Sequence, residues 1–174
     1  MENSELTDIT LNIYKKTVTE FNQTGTVLQA YLFRSLDDLK NIDSPQLKLR
    51  ICKGIYREPP EIAFQTKEEI RNNFITLVQT LLNGQGTAQI ATHDPIIIDS
   101  LENWIEENKI PPNRFEFQVL YGVPMGHKLE QLRDKGWTVR IYVPFGNQWF
   151  DYSVRRLKEN PKIIGYVLGN LFKR

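Results

Sequence analysis

The sequence predicts an α/β fold of the (β/α)₈ TIM-type barrel class, truncated to about its C-terminal five strand–helix units. Three observations predict it. Strand and helix periods alternate five times along the chain. The strand segments are near-continuous apolar runs, the pattern of parallel strands covered by helices. Polar residues gather where each strand ends, at Arg34, Tyr56, Thr92 with His93, Tyr121 and Tyr142. Barrels place their chemistry at that end of every strand, whereas a doubly wound sheet binds mainly at one switch point. A typical barrel needs about 250 residues, and 174 residues with five strands fall short of that. The reading is one domain, 1–174, with the N-terminal strands of the barrel missing.

The elements follow in order. Residues 5–21 read as a helix with Leu6, Ile9, Ile13 and Tyr14 toward one side. Gly25 introduces TVLQAYLF, an apolar and aromatic strand, followed by an acidic turn and a second buried strand, LKLRICKGIY. Thr66 and Glu69 have capping-box spacing before a helix striped by Ile70, Phe74, Leu77 and Leu81. Gly84 is placed to end that helix in a left-handed cap. TAQIATHD is a strand, and Asp94 caps a helix with Pro95 at its first position, where a missing N–H costs nothing. Ile97, Leu101, Trp104 and Ile105 form its core side. FEFQVLYG is a strand, 127–135 a short helix closed by Gly136, TVRIYVPFG a strand, and 149–159 a final helix.

Composition narrows the function. With 22 basic and 21 acidic side chains and no long run of either sign, nothing marks a nucleic-acid partner. A single cysteine, Cys52, excludes an internal disulfide and a cysteine-based zinc site, and no HxxxH spacing or carboxylate pair marks another metal. No stretch approaches the roughly 20 apolar residues of a spanning helix, and MENSELTD does not read as a signal peptide. The expected location is cytoplasmic. GxGxxG, GxxxxGK[ST] and GxSxG are all absent.

Three groups of residues could carry chemistry. Tyr152, Arg155, Arg156 and Glu159 share one face of the last helix, at i, i+3, i+4 and i+7. They are a solvated stripe, or a clamp whose guanidinium forks match a carboxylate. Arg50 and Lys53 interrupt an apolar strand, which is costly unless the charge is paired or projects into a barrel mouth. Arg50 closes a buried ion pair, or one of the two faces an anionic cofactor, or Lys53 is a Schiff-base nucleophile. His93, where a strand meets a helix, is a neutral hydrogen-bond partner for a cofactor or a residue of the cap.

Five separated stretches, LQAYL, LRICKGIY, ATHD, FEFQVLYG and RIYVPFG…YSVRRLKENP, resemble the flavin-dependent proline dehydrogenase family in order and spacing. The resemblance implies a flavin-binding (β/α)₈ barrel that oxidises L-proline to Δ¹-pyrroline-5-carboxylate by hydride transfer to FAD and passes electrons to a quinone. It implies that Arg155 and Arg156 bind the proline carboxylate, with Glu159 supporting them from behind. Tyr142, Tyr152, Tyr56 and Leu120 become walls of the substrate pocket. Arg50 stands beside the reactive flavin nitrogen. Gln29, Lys53, Gly54, Ile55, Thr92 and His93 contact the flavin, with Ile55 where the family commonly has alanine. Met1-Glu2 resembles a Met–Glu pair inside the family pattern, so Met1 would touch the flavin too. The aspartate before that pair and an upstream lysine would then fall outside this sequence, and an N-terminal fragment is an expected partner. The stretch IIGYVLGNLFKR covers the barrel or makes a peripheral contact at the inner face of a membrane. The competing readings are a Lys53 Schiff-base aldolase and a fragment that folds without catalysis.

Overall fold

The computed structural model describes residues 3–143, 145 and 146. Met1, Tyr152, Arg155, Arg156, Glu159, the helix expected over 149–159 and the stretch IIGYVLGNLFKR lie outside the described residues.

After a short turn, α1 (Thr7–Val18) leads into β1 (Gly25–Gln29), α2 (Ser35–Ile42), β2 (Lys48–Cys52), α3 (Lys67–Asn83) and β3 (Thr87–Ala91). α4 (Pro95–Glu107), β4 (Phe115–Leu120), α5 (Lys128–Asp134) and β5 (Val139–Tyr142) complete the series. The five strands are parallel and lie in chain order, β1-β2-β3-β4-β5. That order decides between the two candidate architectures. Right-handed crossovers that always step to the next strand in the same direction put every helix on one face, as a barrel requires. A doubly wound sheet reverses its strand order at the switch point and covers both faces.

The burial follows that asymmetry. Leu28, Leu49, Ile51, Ala88, Ile90, Phe115 and Phe117 form one core with Leu39, Phe74, Leu77, Leu81, Ile97, Leu101, Ile105 and Leu132 from the helices. Each such leucine, isoleucine or phenylalanine contributes about 1.5–3 kcal/mol when fully buried. The alternate positions point away from the helices. Register aligns Val27, Arg50, Gln89 and Glu116 in one lateral row across β1 to β4. Gln118 and Arg140 are partners farther on, as are Leu120 and Tyr142. This inner face is polar.

Local chemistry explains most boundaries. The capping box is formed: the Glu69 N–H donates to Thr66 Oγ1 at 3.2 Å and the Thr66 N–H to Glu69 Oε2 at 3.1 Å. Asp94 caps α4 by accepting from the Ile96 N–H, with Pro95 at the first helical position.

Four expectations are corrected. α1 buries Thr7, Leu11 and Tyr14, while Leu6, Ile9 and Ile13 are exposed, because the small Thr7 rather than Ile9 continues the buried 7–11–14 row. The acidic turn is the helix α2, whose buried face includes Ser35 and Asp38 and so hides its apolar period. The AYLF end of the first expected strand leaves the sheet after Gln29 and pairs with the loop before α3. There the Phe64 N–H donates to Tyr31 O, and Leu32 bridges Ala63 antiparallel. Gly84 has φ −82°, not a left-handed value. Its hydrogen is needed for space, since a Cβ there would meet the Asp43 carboxylate. The end of α3 is held instead by Arg114, which donates to the carbonyls of Leu82, Gly84 and Gly86.

Candidate active site at the C-terminal ends of the strands

The expected cofactor and substrate residues that are described fall at or just beyond the C-terminal ends of β1 to β5, except Arg50, which is the middle residue of β2. Gln29 is the last residue of β1 and is buried, and its Nε2 has no hydrogen-bond partner among the described residues. A buried amide donor left unpaired costs about 1–3 kcal/mol, so it calls for an acceptor from elsewhere. The neighbouring backbone is held firmly. Ser35 Oγ donates to Gln29 O at 2.6 Å, and Asn73 Nδ2 donates to Ala30 O at 2.6 Å.

β2 ends at Cys52, and Lys53, Gly54, Ile55 and Tyr56 form the turn that follows. Lys53 therefore lies beyond the strand, and only Arg50 interrupts its apolar run. Gly54 has φ +96°, and a Cβ there would strike the Tyr31 ring, 2.5 Å from Cε1 and 2.7 Å from Cγ. Tyr31 cannot easily yield. Its ring is buried and its hydroxyl lies 3.4 Å from Glu58 Oε1, and burial followed by the Glu58 charge pushes the phenol upward from its usual pKa. Glu58 also accepts from the N–H and Oγ of Ser4, at 2.8 and 2.9 Å. Ile55 and Tyr56 are exposed beyond this turn.

Arg50 is exposed on the inner face and takes part in none of the ion pairs among the described residues. The expectation of a buried ion pair is therefore set aside: Leu49 and Ile51 take the helix-facing positions and leave Arg50 on the open side. Lys53 does have a partner, with Nζ 3.0 Å from Asp94 Oδ2. An ammonium held by a carboxylate is a poor nucleophile, which disfavours the Schiff-base reading. Arg34, also expected at the strand ends, is held by Asp8 at 2.5 Å and Asp38 at 2.8 Å.

At the end of β3, Thr92 is buried and its Oγ1 accepts from the Asp94 N–H at 3.1 Å. His93 Nε2 lies 2.8 Å from the Leu120 N–H. A backbone N–H can only donate, so Nε2 must be the unprotonated acceptor and the ring is neutral with its proton on Nδ1. That hydrogen bond joins an expected flavin contact to an expected substrate wall. Leu120 is in turn the lateral partner of Tyr142, which is exposed.

Three paired charged residues were not anticipated, two of them at the strand ends and one, Glu116, near the start of β4. Asp94, read only as a cap, also binds Lys53 and Arg71, the latter at 2.8 Å. Burial would raise its carboxyl, but the hydrogen bonds from Arg71 and Lys53 outweigh that and hold it below the usual aspartate value. Glu116, within the apolar run of β4, receives Arg140 through Nε and Nη2, both at 2.8 Å, and Gln118 Nε2 at 2.6 Å. The Arg140 contact, against the opposing effect of burial, holds its carboxyl low. The signal for Glu116 was the one used for Arg50, a charge inside an apolar strand. Arg71 left no such signal, since a lone arginine on a helix is ordinary.

Two clefts of about 330 and 340 Å³ are lined by none of the residues expected to bind cofactor or substrate. The first includes Leu32, Phe33, Arg34 and Ile62, and the second includes Lys48, Gln89, Glu116 and Arg140. The strand-end residues lie instead along an open face. Among the described residues no helix is long and apolar enough to cross a membrane.

The family model for proline dehydrogenase matches residues 1–167. The chain is 38% identical to proline dehydrogenase 1 of Bacillus subtilis subsp. natto, over 100% of this chain and 57% of that protein. It is 36% identical to proline dehydrogenase of Deinococcus radiodurans, over 99% of this chain and 56% of that protein. It thus spans a little over half the length of these relatives. Among solved structures, proline utilization A from Bdellovibrio bacteriovorus, inactivated by N-propargylglycine, superposes with a TM-score of 0.81 at 28% identity. The match covers 92% of this chain and 19% of that one. Proline utilization A from Corynebacterium freiburgense, at 22% identity and a TM-score of 0.73, shares the fold over 93% of this chain and 20% of its own.

Proposed function

This chain belongs to the proline dehydrogenase family, and from that membership we propose that it takes part in oxidising L-proline to 1-pyrroline-5-carboxylate, with FAD as cofactor and a quinone as final electron acceptor. The observation that carries the reading is 38% identity along the whole chain to an enzyme of that name. A shared barrel alone would not support it. The residues present fit a flavin: the buried amide of Gln29 and the charge of Arg50, both without a partner among the described residues, are features that a polar, anionic cofactor would satisfy.

In this reading Gln29, Lys53, Gly54, Ile55, Thr92, His93 and Met1 hold the cofactor. Bound FAD would supply the two-electron oxidant, accepting a hydride from the proline carbon beside nitrogen. Arg50 holds a fixed positive charge on the inner face, where negative charge develops during the reaction. Arg155 and Arg156 clamp the substrate carboxylate, as paired guanidinium forks do, and Glu159 orients them. Tyr142, Tyr152, Tyr56 and Leu120 enclose the ring and exclude water. The cytoplasmic location and the peripheral membrane contact, where quinone would be reached, belong to the same proposal.

A second reading is favoured by the 57% coverage: catalysis requires strand–helix units outside these 174 residues, from the same or a separate chain. One experiment separates the two. The purified chain is examined for bound-flavin absorbance and for bleaching by proline, alone and after addition of the N-terminal strand–helix units of a relative. Bleaching without the addition supports the first reading, and bleaching only with it supports the second. In whichever preparation bleaches, Arg50→Gln should lower turnover by about 100-fold while leaving the unfolding curve in place. A folded, flavin-loaded assembly that proline never bleaches would overturn the function.

A further inference from the structure

The Asp94 carboxylate is almost fully buried, and one of its oxygens, Oδ2, receives two cations from different elements: Lys53 from the turn after β2 and Arg71 from α3. Its other oxygen caps α4 through the Ile96 N–H. One negative charge thus holds two positive ones, and the cluster keeps a net charge of +1 at the strand ends. The donors are also in excess. Arg71 spends only Nε on Asp94, and its Nη1 and Nη2 make no hydrogen bond among the described residues. Lys53 spends one of its three donors. Both side chains remain partly open to solvent, at 42% for Lys53 and 28% for Arg71, against 5% for Asp94.

A buried carboxylate beneath two partly open cations, with unused donors on each, fixes positive charge for an anion instead of cancelling it. Guanidinium forks and ammonium groups are the common ligands of phosphate oxygens. Lys53 lies next to Gly54, whose backbone takes φ +96° and packs against the buried Tyr31 ring, which fixes the turn that carries Lys53. We propose that Arg71, held beside Lys53 on Asp94, is a second cationic ligand for the phosphate groups of a dinucleotide cofactor, a residue role that rests on the flavin reading above. Asp94 is the positioning residue of the pair.

The test is equilibrium titration of the full chain, unsubstituted and as Arg71→Gln, with FAD, ADP and riboflavin at low and high salt. FAD and ADP affinity should fall roughly tenfold or more in Arg71→Gln, the scale of one charge-assisted contact, with riboflavin unchanged. If Arg71→Gln does not fold, the unsubstituted chain still decides the matter: ADP, but not riboflavin, should protect Arg71 from phenylglyoxal, as located by peptide mass spectrometry. FAD binding that Arg71→Gln leaves unaltered, or that falls in parallel with riboflavin, overturns the subsite and leaves the flavin reading standing. ADP bound through Arg71 with neither flavin bound keeps the phosphate subsite and overturns the flavin reading. Binding of none of the three overturns both.

Discussion

Replacing Gly54 with alanine tests whether the turn after β2 is as tightly specified as its geometry indicates. Two separate costs arise. The backbone at φ +96° is a conformation that a Cβ disfavours, worth about 1–3 kcal/mol. The added methyl would also sit 2.5 Å from Tyr31 Cε1. The ring is buried beside Leu32 and Ala63 and tied to Glu58, so overpacking adds about 1–3 kcal/mol. Together they come to about 2–6 kcal/mol, and at an m value of roughly 2 kcal/mol/M the urea midpoint should fall by about 1–3 M. Gly122→Ala is the internal control, because Gly122 has φ +83° but nothing within 4 Å of its would-be Cβ. It should lose only the backbone share, about 1–3 kcal/mol. The assay is urea unfolding followed by far-ultraviolet circular dichroism. Equal midpoint shifts for the two variants would refute the Tyr31 contact, and a shift under about 0.5 M for Gly54→Ala would refute the whole argument.

Three further predictions use the same unfolding assay. Phe74→Ala, at a fully buried position of α3, should cost about 3–5 kcal/mol. Arg114→Ala removes the donors that hold the Leu82, Gly84 and Gly86 carbonyls, and should cost about 2–3 kcal/mol; a loss under about 0.5 kcal/mol would mean that water replaces the guanidinium fully. Glu116 titrates below the ordinary glutamate value of 4.5 in the folded chain, so its ionisation favours folding. That contribution is complete above 4.5 and disappears as pH falls through the lowered folded value. Glu116→Gln should accordingly be less stable near neutrality and show a flatter decline in acid; parallel pH profiles for the two proteins would count against the Arg140 pairing.

The outline of the fold was legible because its signals are local and redundant. The Thr66–Glu69 box, the Asp94–Pro95 cap and the apolar runs of β2 to β4 each specify one element through short-range chemistry, and all appear in the structure. α2 was not legible, because a buried serine bonded to Gln29 O and a buried aspartate bonded to Arg34 occupy positions that an apolar stripe would fill. The strand ends were overextended because AYLF has strand character but pairs with residues 62–64 rather than the sheet. Of the site, the positions at strand ends were readable from pattern, while the partners were not. No spacing rule connects Asp94 to Lys53 and Arg71 across 41 and 23 residues, or His93 to the Leu120 N–H across 27.

The two faces of the sheet divide the work, and register links them. A slip of one residue in any strand would exchange its core positions with its inner-face positions. In β2 it would bring Arg50 into the helix-facing core that Leu49 and Ile51 now fill. The outer core therefore aims the inner side chains as well as stabilising the fold: Phe115 and Phe117 pack among the helices, and by alternation Glu116, Gln118 and Leu120 are turned inward. The inner face has to solve a separate problem, since a polar row in a sheet interior must be compensated to persist. Glu116 meets this through Arg140 and Gln118, and Asp94 through Lys53 and Arg71. Arg50 and the Gln29 amide remain uncompensated among the described residues.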